Sequence, residues 1–285
     1  MNDATWTIQK VLEWSIPYMT KSDSQSPRLD CELLLAHTLG CERIDLYVDY
    51  FKPLAVEERD TFKSYLKRRY AGEPVAYILG YRHFWEHKFI VDKNVLIPRP
   101  DSEHILDELS KRQSDKDASL KLLDIGSGSG CLAISADLML ANAEVTAWDV
   151  CDSALKVAGQ NNDKLGASVK FQKKDALLDE SWVGLNYDVI ISNPPYISQA
   201  EIDVMAPETL NYEPKKALFA ENNGLIFYEK IADMAGSILS SNGYIIMEIG
   251  YKQAASVSSL FSDREWKTEL VQDLSGHDRV VIAYR

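Results

Sequence analysis

The sequence predicts an α/β protein in which a mostly parallel, seven-stranded sheet follows a small helical region. Three observations predict it. From about residue 99, short apolar runs alternate with helical patterns, the signature of βαβ units. Residues 1–80 show the helical period instead. A chain of 285 residues, 46% apolar and 26% charged, has the length of about two globular domains at roughly 150 residues each.

The elements follow in order. Trp6, Ile8, Val11, Leu12, Ile16 and Met19 recur at helical spacing and define a first helix. After a Ser-rich break from Lys21 to Pro27, Leu29, Leu33, Leu34 and Leu39 mark a second, opened by Ser26-Pro27 and closed near Gly40. A third runs from about Val56 to Tyr70, with Phe62, Tyr65 and Leu66 on one stripe and Gly72 after its end. Lys63, Lys67, Arg68 and Arg69 read as its solvated basic face. In residues 81–98 the β-formers Phe84, Trp85, Phe89, Ile90, Val91, Val95, Leu96 and Ile97, broken by Asp92-Lys93-Asn94, read as a hairpin. It stops at Pro98-Arg99-Pro100, a domain joint.

Beyond that joint the candidate strands are Leu120–Ile125, Glu144–Asp149, Val169–Gln172, Tyr187–Ser192, Tyr244–Ile249, Trp266–Val271 and Val280–Tyr284. Candidate helices are Ser102–Leu109, Cys131–Met139, Ala154–Leu165, Leu225–Leu239 and Gln253–Phe261. Gln272 to Arg279 is too short a link for a parallel crossover, so the last strand is expected to run antiparallel. The expected domains are therefore 1–80, a linker over 81–98, and 99–285.

Composition excludes several classes. The net charge is −12, of which residues 99–285 carry −11 and residues 1–80 only −2. A protein that neutralises many phosphates shows a basic excess, so direct duplex nucleic-acid binding is not expected. The four cysteines, Cys31, Cys41, Cys131 and Cys151, form no C-x-x-C pair, and no His lies at ligand spacing. No metal site is expected, and the thiols read as reduced residues of a cytoplasmic protein. With no apolar run of about 18 residues, no membrane span is expected.

Three motifs carry chemistry. Asp124-Ile125-Gly126-Ser127-Gly128-Ser129-Gly130 follows an apolar strand and opens a helix. Glycines there let backbone approach a ligand, and the helix start offers free N–H donors. The spacing is G-x-G-x-G, which meets neither the dinucleotide fingerprint nor the phosphate-binding P-loop. Asp149 ends the next strand, where an acid can accept both hydroxyl protons of a ribose. Loop and acid together argue for an adenosyl ligand. Asn193-Pro194-Pro195-Tyr196 then stands at the carboxyl end of a strand, where ligands of open α/β sheets bind. Four such residues should occur by chance in roughly one chain in several hundred.

Their use is specific. A planar amide or aromatic-amine NH₂ is a poor nucleophile because its lone pair is conjugated. The Asn193 side-chain oxygen and a backbone carbonyl, held rigid by prolines, can each accept one of its protons and draw the nitrogen toward tetrahedral geometry. Tyr196 can stack on the planar group. Catalysis is then positioning and electrostatics, and no strong base is required.

With these motifs in place, the sequence resembles the bacterial and organellar release factor glutamine methyltransferases over essentially its whole length. The resemblance rests on Ser26 to Asp30, Gly72 to Gly80, Leu96 to Glu103, the glycine loop, Asn193 to Tyr196, Glu213-Pro214 with Ala217-Leu218, Glu248 to Gly250 and Gly276 to Val280. It implies a seven-stranded, Rossmann-like S-adenosylmethionine-dependent methyltransferase domain, a β-hairpin linker and an N-terminal helical domain that recognises the substrate. The implied reaction methylates the side-chain nitrogen of the glutamine in the Gly-Gly-Gln loop of class 1 peptide chain release factors, leaving S-adenosylhomocysteine. On that carry-over Gly126, Ser127, Gly128, Ser129 and Gly130 hold the methionine part of the cofactor and Asp149 its ribose. Asp175 and Ala176 lie by the adenine. Asn193 and Pro194, with Pro195 and Tyr196, hold the glutamine amide beside the methyl donor, and Pro98 to Glu103 lie close by.

The chain departs from the family pattern at Ser127 and Ser102, where Thr is usual and the hydroxyl is kept. The family often has Trp after the acid by the adenine; here Ala176 follows Asp175, with Trp182 six residues on. Either the adenine wall is remodelled or Trp182 has taken its place. Rival readings are a ribosomal-protein glutamine methyltransferase, an adenine amino-methyltransferase, whose motif follows the same logic, and a non-catalytic binding module built on residues 1–80. The partner expected is a protein substrate met by a monomer, with acidic charge steering it.

Overall fold

The computed structural model describes residues 5–113, 115, 117 and 119–285. The chain forms two compact units, one running to Gly80 and taking in Ala206–Tyr212, the other comprising Tyr81–Met205 and Glu213–Arg285.

The first unit is helical: α1 (Ile8–Met19), α2 (Pro27–Leu39), the single turn α3 (Asp45–Val48), α4 (Val56–Tyr70) and α5 (Val75–Leu79). The Thr7 hydroxyl caps α1, and Pro27 occupies the first turn of α2, where its missing N–H costs nothing. Gly40 ends α2 at φ +64°, the left-handed conformation that glycine adopts without strain. Val11, Leu12, Leu34, Leu35, Phe62 and Leu66 form the core. One residue assigned to the solvated face of α4 lies elsewhere. Arg69 continues the buried 62–66 stripe, is 7% exposed, and donates through Nε to Asp30 (2.6 Å) and through Nη1 to Glu208 (2.5 Å). A long side chain at i+7 of an apolar stripe reaches the core, where only paired charge is tolerated.

The second unit opens with the hairpin β1 (Tyr81–Phe84) and β2 (His87–Ile90). Its turn is Trp85-Glu86, with Trp85 at φ +52°, and not the Asp92-Lys93-Asn94 break. Asp92 instead closes a local turn by accepting from the Asn94 amide (2.8 Å), and Val95–Ile97 form no strand. Tertiary contacts overrule turn composition here. The Trp85 amide donates to Glu103 (2.9 Å), and the Asn161 side chain both accepts from and donates to the Ile90 backbone.

The sheet follows, interleaved with helices: α6 (Glu103–Arg112), β3 (Leu120–Ile125), α7 (Cys131–Met139), β4 (Ala143–Asp149), α8 (Asp152–Leu165), β5 (Lys170–Lys173) and β6 (Tyr187–Ser192). Then come α9 (Pro207–Tyr212), which belongs to the first unit, α10 (Glu221–Gly224), α11 (Ile226–Ile238), β7 (Leu239–Glu248), α12 (Ala254–Ser262), β8 (Lys267–Gln272) and β9 (Asp278–Tyr284). Strand order is β5-β4-β3-β6-β7-β9-β8, parallel except that β9 runs antiparallel to both neighbours. The central strands are buried on both faces, Leu122, Val145 and Ile191 in one layer and Leu123, Ile190 and Ile245 in the other. The strand order reverses between β3 and β6, where Ile125 pairs with Ser192. Ligand crevices of open sheets form outside the carboxyl ends at such a switch point.

Candidate active site

At that switch point the glycine loop leaves β3 and the Asn193 motif leaves β6. Gly126, Gly128 and Gly130 all have positive φ, which L side chains rarely adopt. The loop alternates. Gly126 and Gly128 border a cavity of about 270 Å³, while Ser127, Ser129 and Gly130 are buried behind it. A Cβ on Gly130 would stand 3.0 Å from Ile134 and 3.1 Å from Phe171, so this glycine serves helix–strand packing.

Asp149, at the end of β4, borders the same cavity and accepts from the Gly128 amide (2.9 Å) and the Cys151 amide (2.8 Å). Burial raises its pKa, and the Cys151, Gly128 and Val150 amides pull it back. Two bonds fix the carboxylate without exhausting its acceptor sites, as a diol ligand requires. Asp124 lies buried at the end of β3, and among the described residues its carboxylate has no hydrogen bond of ordinary geometry. Burial, then the Asp149 charge, push its pKa up to about 8, the Ala133 amide opposing them.

Asp175 and Ala176 close the far wall, Asp175 Oδ1 accepting from the Leu177 amide (2.9 Å). Trp182 does not border the cavity. It is 1% exposed, donates Nε1–H to the Ala176 carbonyl (2.8 Å), and packs edge-on to Trp148 with centroids 5.3 Å apart. Trp148 itself borders the cavity beneath Lys174, whose ammonium lies 4.6 Å from its ring. Trp182 thus lies behind this wall, which Trp148, Asp175 and Ala176 line.

Asn193, Pro194 and Pro195 border the cavity; Tyr196 does not, and lines a second hollow on the other side of the loop. Its ring is half-buried, its hydroxyl donates to Glu248 Oε1 (3.1 Å), and burial with the Glu248 charge raises its pKa. Stacking of Tyr196 on a ligand in the first cavity is therefore not what this arrangement offers; the tyrosine braces the loop. Further braces come from segments distant in sequence. Gln253 Nε2 donates to the Tyr196 carbonyl (3.0 Å), and Ile197 pairs with Leu218 and Ala220. Gly224, at φ +83°, passes so close that a Cβ there would stand 2.0 Å from the Tyr196 carbonyl oxygen.

One further contact bears on Asn193. Its Nδ2 donates to Ser102 Oγ (2.8 Å), whose hydroxyl donates to the buried Glu248. Glu213 accepts from Arg99 (2.5 Å) and from the Ile97 amide (3.1 Å), holding the 97–99 stretch. The family resemblance covers the segments that hold Ser102 and Glu248 and places Ser102 near the site, but gives neither a role toward Asn193, and Gly224 carries no signal in the sequence. The three become neighbours of the motif only through the fold.

Comparison with known proteins adds two family matches. Residues 3–80 match the PrmC N-terminal domain, and residues 100–247 match the Methyltransferase small domain. A release factor glutamine methyltransferase of Rhodopirellula baltica is 38% identical over 98% of this chain and 97% of its own length. That of Chlorobaculum tepidum is also 38% identical, over 97% of each. The chain belongs to the release factor glutamine methyltransferase family. In this family member the glycine loop, Asp149 and Asn193–Pro195 surround one cavity. At the level of fold, the chain resembles a methyltransferase from Pyrococcus furiosus, with TM-score 0.52, 17% identity, and coverage of 69% of this chain and 87% of that one. It also resembles the hMettl16 catalytic domain in complex with MAT2A 3'UTR hairpin 6, with TM-score 0.55, 16% identity, and coverage of 69% and 74%.

Proposed function

We propose that this protein methylates the side-chain amide nitrogen of the glutamine in the Gly-Gly-Gln motif of class 1 peptide chain release factors, using S-adenosylmethionine. The observation that carries the reading is Asn193. It sits at the switch-point cavity with its NH₂ already engaged by Ser102, which leaves its carbonyl oxygen as an acceptor. Gly126 and Gly128 present backbone, Asp149 a half-used carboxylate, and Trp148 an apolar edge, a set that fits an adenosyl ligand.

When bound, the cofactor supplies an activated methyl group. The chain's own residues do the rest. Asn193 Oδ1 and the Pro194 carbonyl accept hydrogen bonds from the two amide N–H groups, turning the nitrogen lone pair away from its conjugated carbonyl and toward the methyl group. As the N–CH₃ bond forms and the sulfonium C–S bond breaks, one N–H proton is released to solvent. Pro194 and Pro195 fix the backbone that holds both acceptors, and Tyr196 braces the loop from behind. Residues 1–80 are taken as the recognition domain, 81–98 as the linker and 99–285 as the catalytic domain. The enzyme is taken as a monomer. No helix among the described residues is long and apolar enough to cross a membrane. A cytoplasmic setting follows from the proposed substrate.

The test uses purified, unmethylated release factor with the methyl donor, the added mass being located by peptide mass spectrometry. Methyl on the Gly-Gly-Gln glutamine supports the reading. Methyl on a ribosomal protein, on adenine, or nowhere refutes it. Acidic steering of the encounter predicts an association rate that falls with added salt, and a salt-independent rate rejects it.

A further inference from the structure

The Asn193 amide has two orientations, and only one serves the proposed chemistry. With Oδ1 toward the cavity it accepts from a substrate NH₂; with Nδ2 there it repels that group and welcomes a carboxylate or carbonyl. Glu248, at the end of β7, decides between them through a chain of three side chains. It is 2% exposed and receives the Ser102 hydroxyl on Oε2 and the Tyr196 hydroxyl on Oε1. An ionised carboxylate only accepts, so Ser102 must spend its single proton on Glu248. The Ser102 oxygen is then left with lone pairs alone to offer Asn193. The amide can only answer with its NH₂, as the 2.8 Å contact records.

We infer that Ser102 and Glu248 are positioning residues that lock the Asn193 amide with its oxygen toward the substrate, and so make the site selective for an amide NH₂ over a carboxylate. This rests on the glutamine-methylation reading but adds to it the pair that sets the polarity of the acceptor. The lock depends on the charge of Glu248. A neutral carboxyl can donate to Ser102, whose hydroxyl then turns to Asn193 and admits the reversed amide. Burial raises the Glu248 pKa; the Ser102 and Tyr196 hydrogen bonds lower it, the Asp101 charge raises it, and Arg279 lowers it. The Tyr228 hydroxyl, from α11, meets only the Glu248 backbone carbonyl (2.8 Å). The ionised, locking form is lost as pH falls through that raised value.

Ser102→Ala, Ser102→Thr and Glu248→Gln test the lock in the full-length enzyme. Ser102→Ala should lose roughly ten- to a hundred-fold in kcat, the scale of removing an orienting contact behind a working group. KM for the methyl donor should stay within about two-fold, and Ser102→Thr should restore the rate. Glu248→Gln should lose rate and also the acid limb of the pH profile. The side-chain amide signal of Asn193 in ¹⁵N-labelled enzyme gives a readout without substrate. It should titrate with Glu248 above the ordinary carboxylate range and cease to do so in Glu248→Gln. Wild-type kcat in folded Ser102→Ala, failure of Ser102→Thr to restore it, or an Asn193 signal indifferent to pH overturns the inference. A wild-type enzyme that leaves release factor unmodified, yet shows the titrating amide, refutes the substrate reading and not the lock.

Discussion

Gly224→Ala is the sharpest perturbation the fold offers, because one methyl group must disturb two backbones at once. At φ +83° an alanine is strained by about 1–2 kcal/mol before it touches anything. Its Cβ would then lie 2.0 Å from the Tyr196 carbonyl oxygen, where real Cβ contacts essentially never fall under 3.0 Å. One of the two strands of chain must therefore shift by about 1 Å. The Tyr196 carbonyl also accepts from Gln253, so a shift there loosens that brace as well. Misplacement of a reacting group by about 1 Å costs on the order of a hundred-fold in rate, equivalent to about 2.7 kcal/mol. The melting temperature should drop by roughly 2–8 °C from the strain alone. Steady-state methyl transfer to release factor, calorimetric titration of the methyl donor and a thermal melt separate the effects. Expected is kcat down about a hundred-fold with donor affinity within a few-fold of wild type, since the glycine loop and Asp149 are untouched. A Gly224→Ala enzyme with wild-type kcat would falsify the claim that this passage holds the Asn193 loop in place.

Three further outcomes follow from the site and the first unit. Asn193→Ala should lower kcat by roughly 10²–10³-fold, or about 2.7–4 kcal/mol, while the donor dissociation constant hardly moves; equal loss of both would make Asn193 a structural residue. Asp124 has a folded pKa of about 8 against an ordinary value near 4, so the fold favours its neutral form. Its stabilising contribution is complete below about pH 4 and is lost as pH rises through 8, so wild-type melting temperature should fall relative to Asp124→Asn across that window, and parallel curves would refute the assignment. Arg69→Met leaves Asp30 buried with the Ser24 hydroxyl as its remaining partner (2.7 Å) and should cost roughly 3–5 kcal/mol in urea denaturation, with Asp30→Asn added to it recovering part of the loss.

Where the chain's local signals agree with its tertiary setting, the elements are legible from sequence. Leu120–Ile125, Cys131–Met139 and Tyr187–Ser192 are observed with the bounds that their apolar runs and flanking glycine and proline predict. Where tertiary contact competes with local chemistry, they are not. β7 begins at Leu239 rather than Tyr244, because Leu239 pairs with Tyr187 while Ser240-Ser241-Asn242-Gly243 has the composition of a turn. The hairpin turn falls at Trp85 for the same reason, its amide being held by a glutamate 18 residues away. Arg69 shows a third limit. Helical periodicity locates the buried face of α4, but which charge can enter it depends on Asp30 and Glu208, whose proximity no spacing rule contains.

The same division runs through the cavity, and it explains why some site residues announce themselves and others do not. Gly126, Gly128, Asp149 and Asn193 border the cavity directly, and their chemistry is written in short motifs at strand ends. Ser102, Gly224 and Glu248 act on those residues from behind, and any segment whose geometry delivers a hydroxyl, a bare backbone or a carboxylate would do. Their pairing runs across as many as 146 positions, as between Ser102 and Glu248, and no composition window sees that far; the family resemblance points to the segments that hold these two, not to their contact. Trp182 makes the converse point. An indole six residues from Ala176 is an obvious substitute for a missing aromatic wall, yet its N–H needs the Ala176 carbonyl and its ring fills the core against Trp148. Its N–H is satisfied behind the wall, which withdraws the ring from the cavity side. The cavity wall on that side is therefore shaped by Trp148 and the small Ala176.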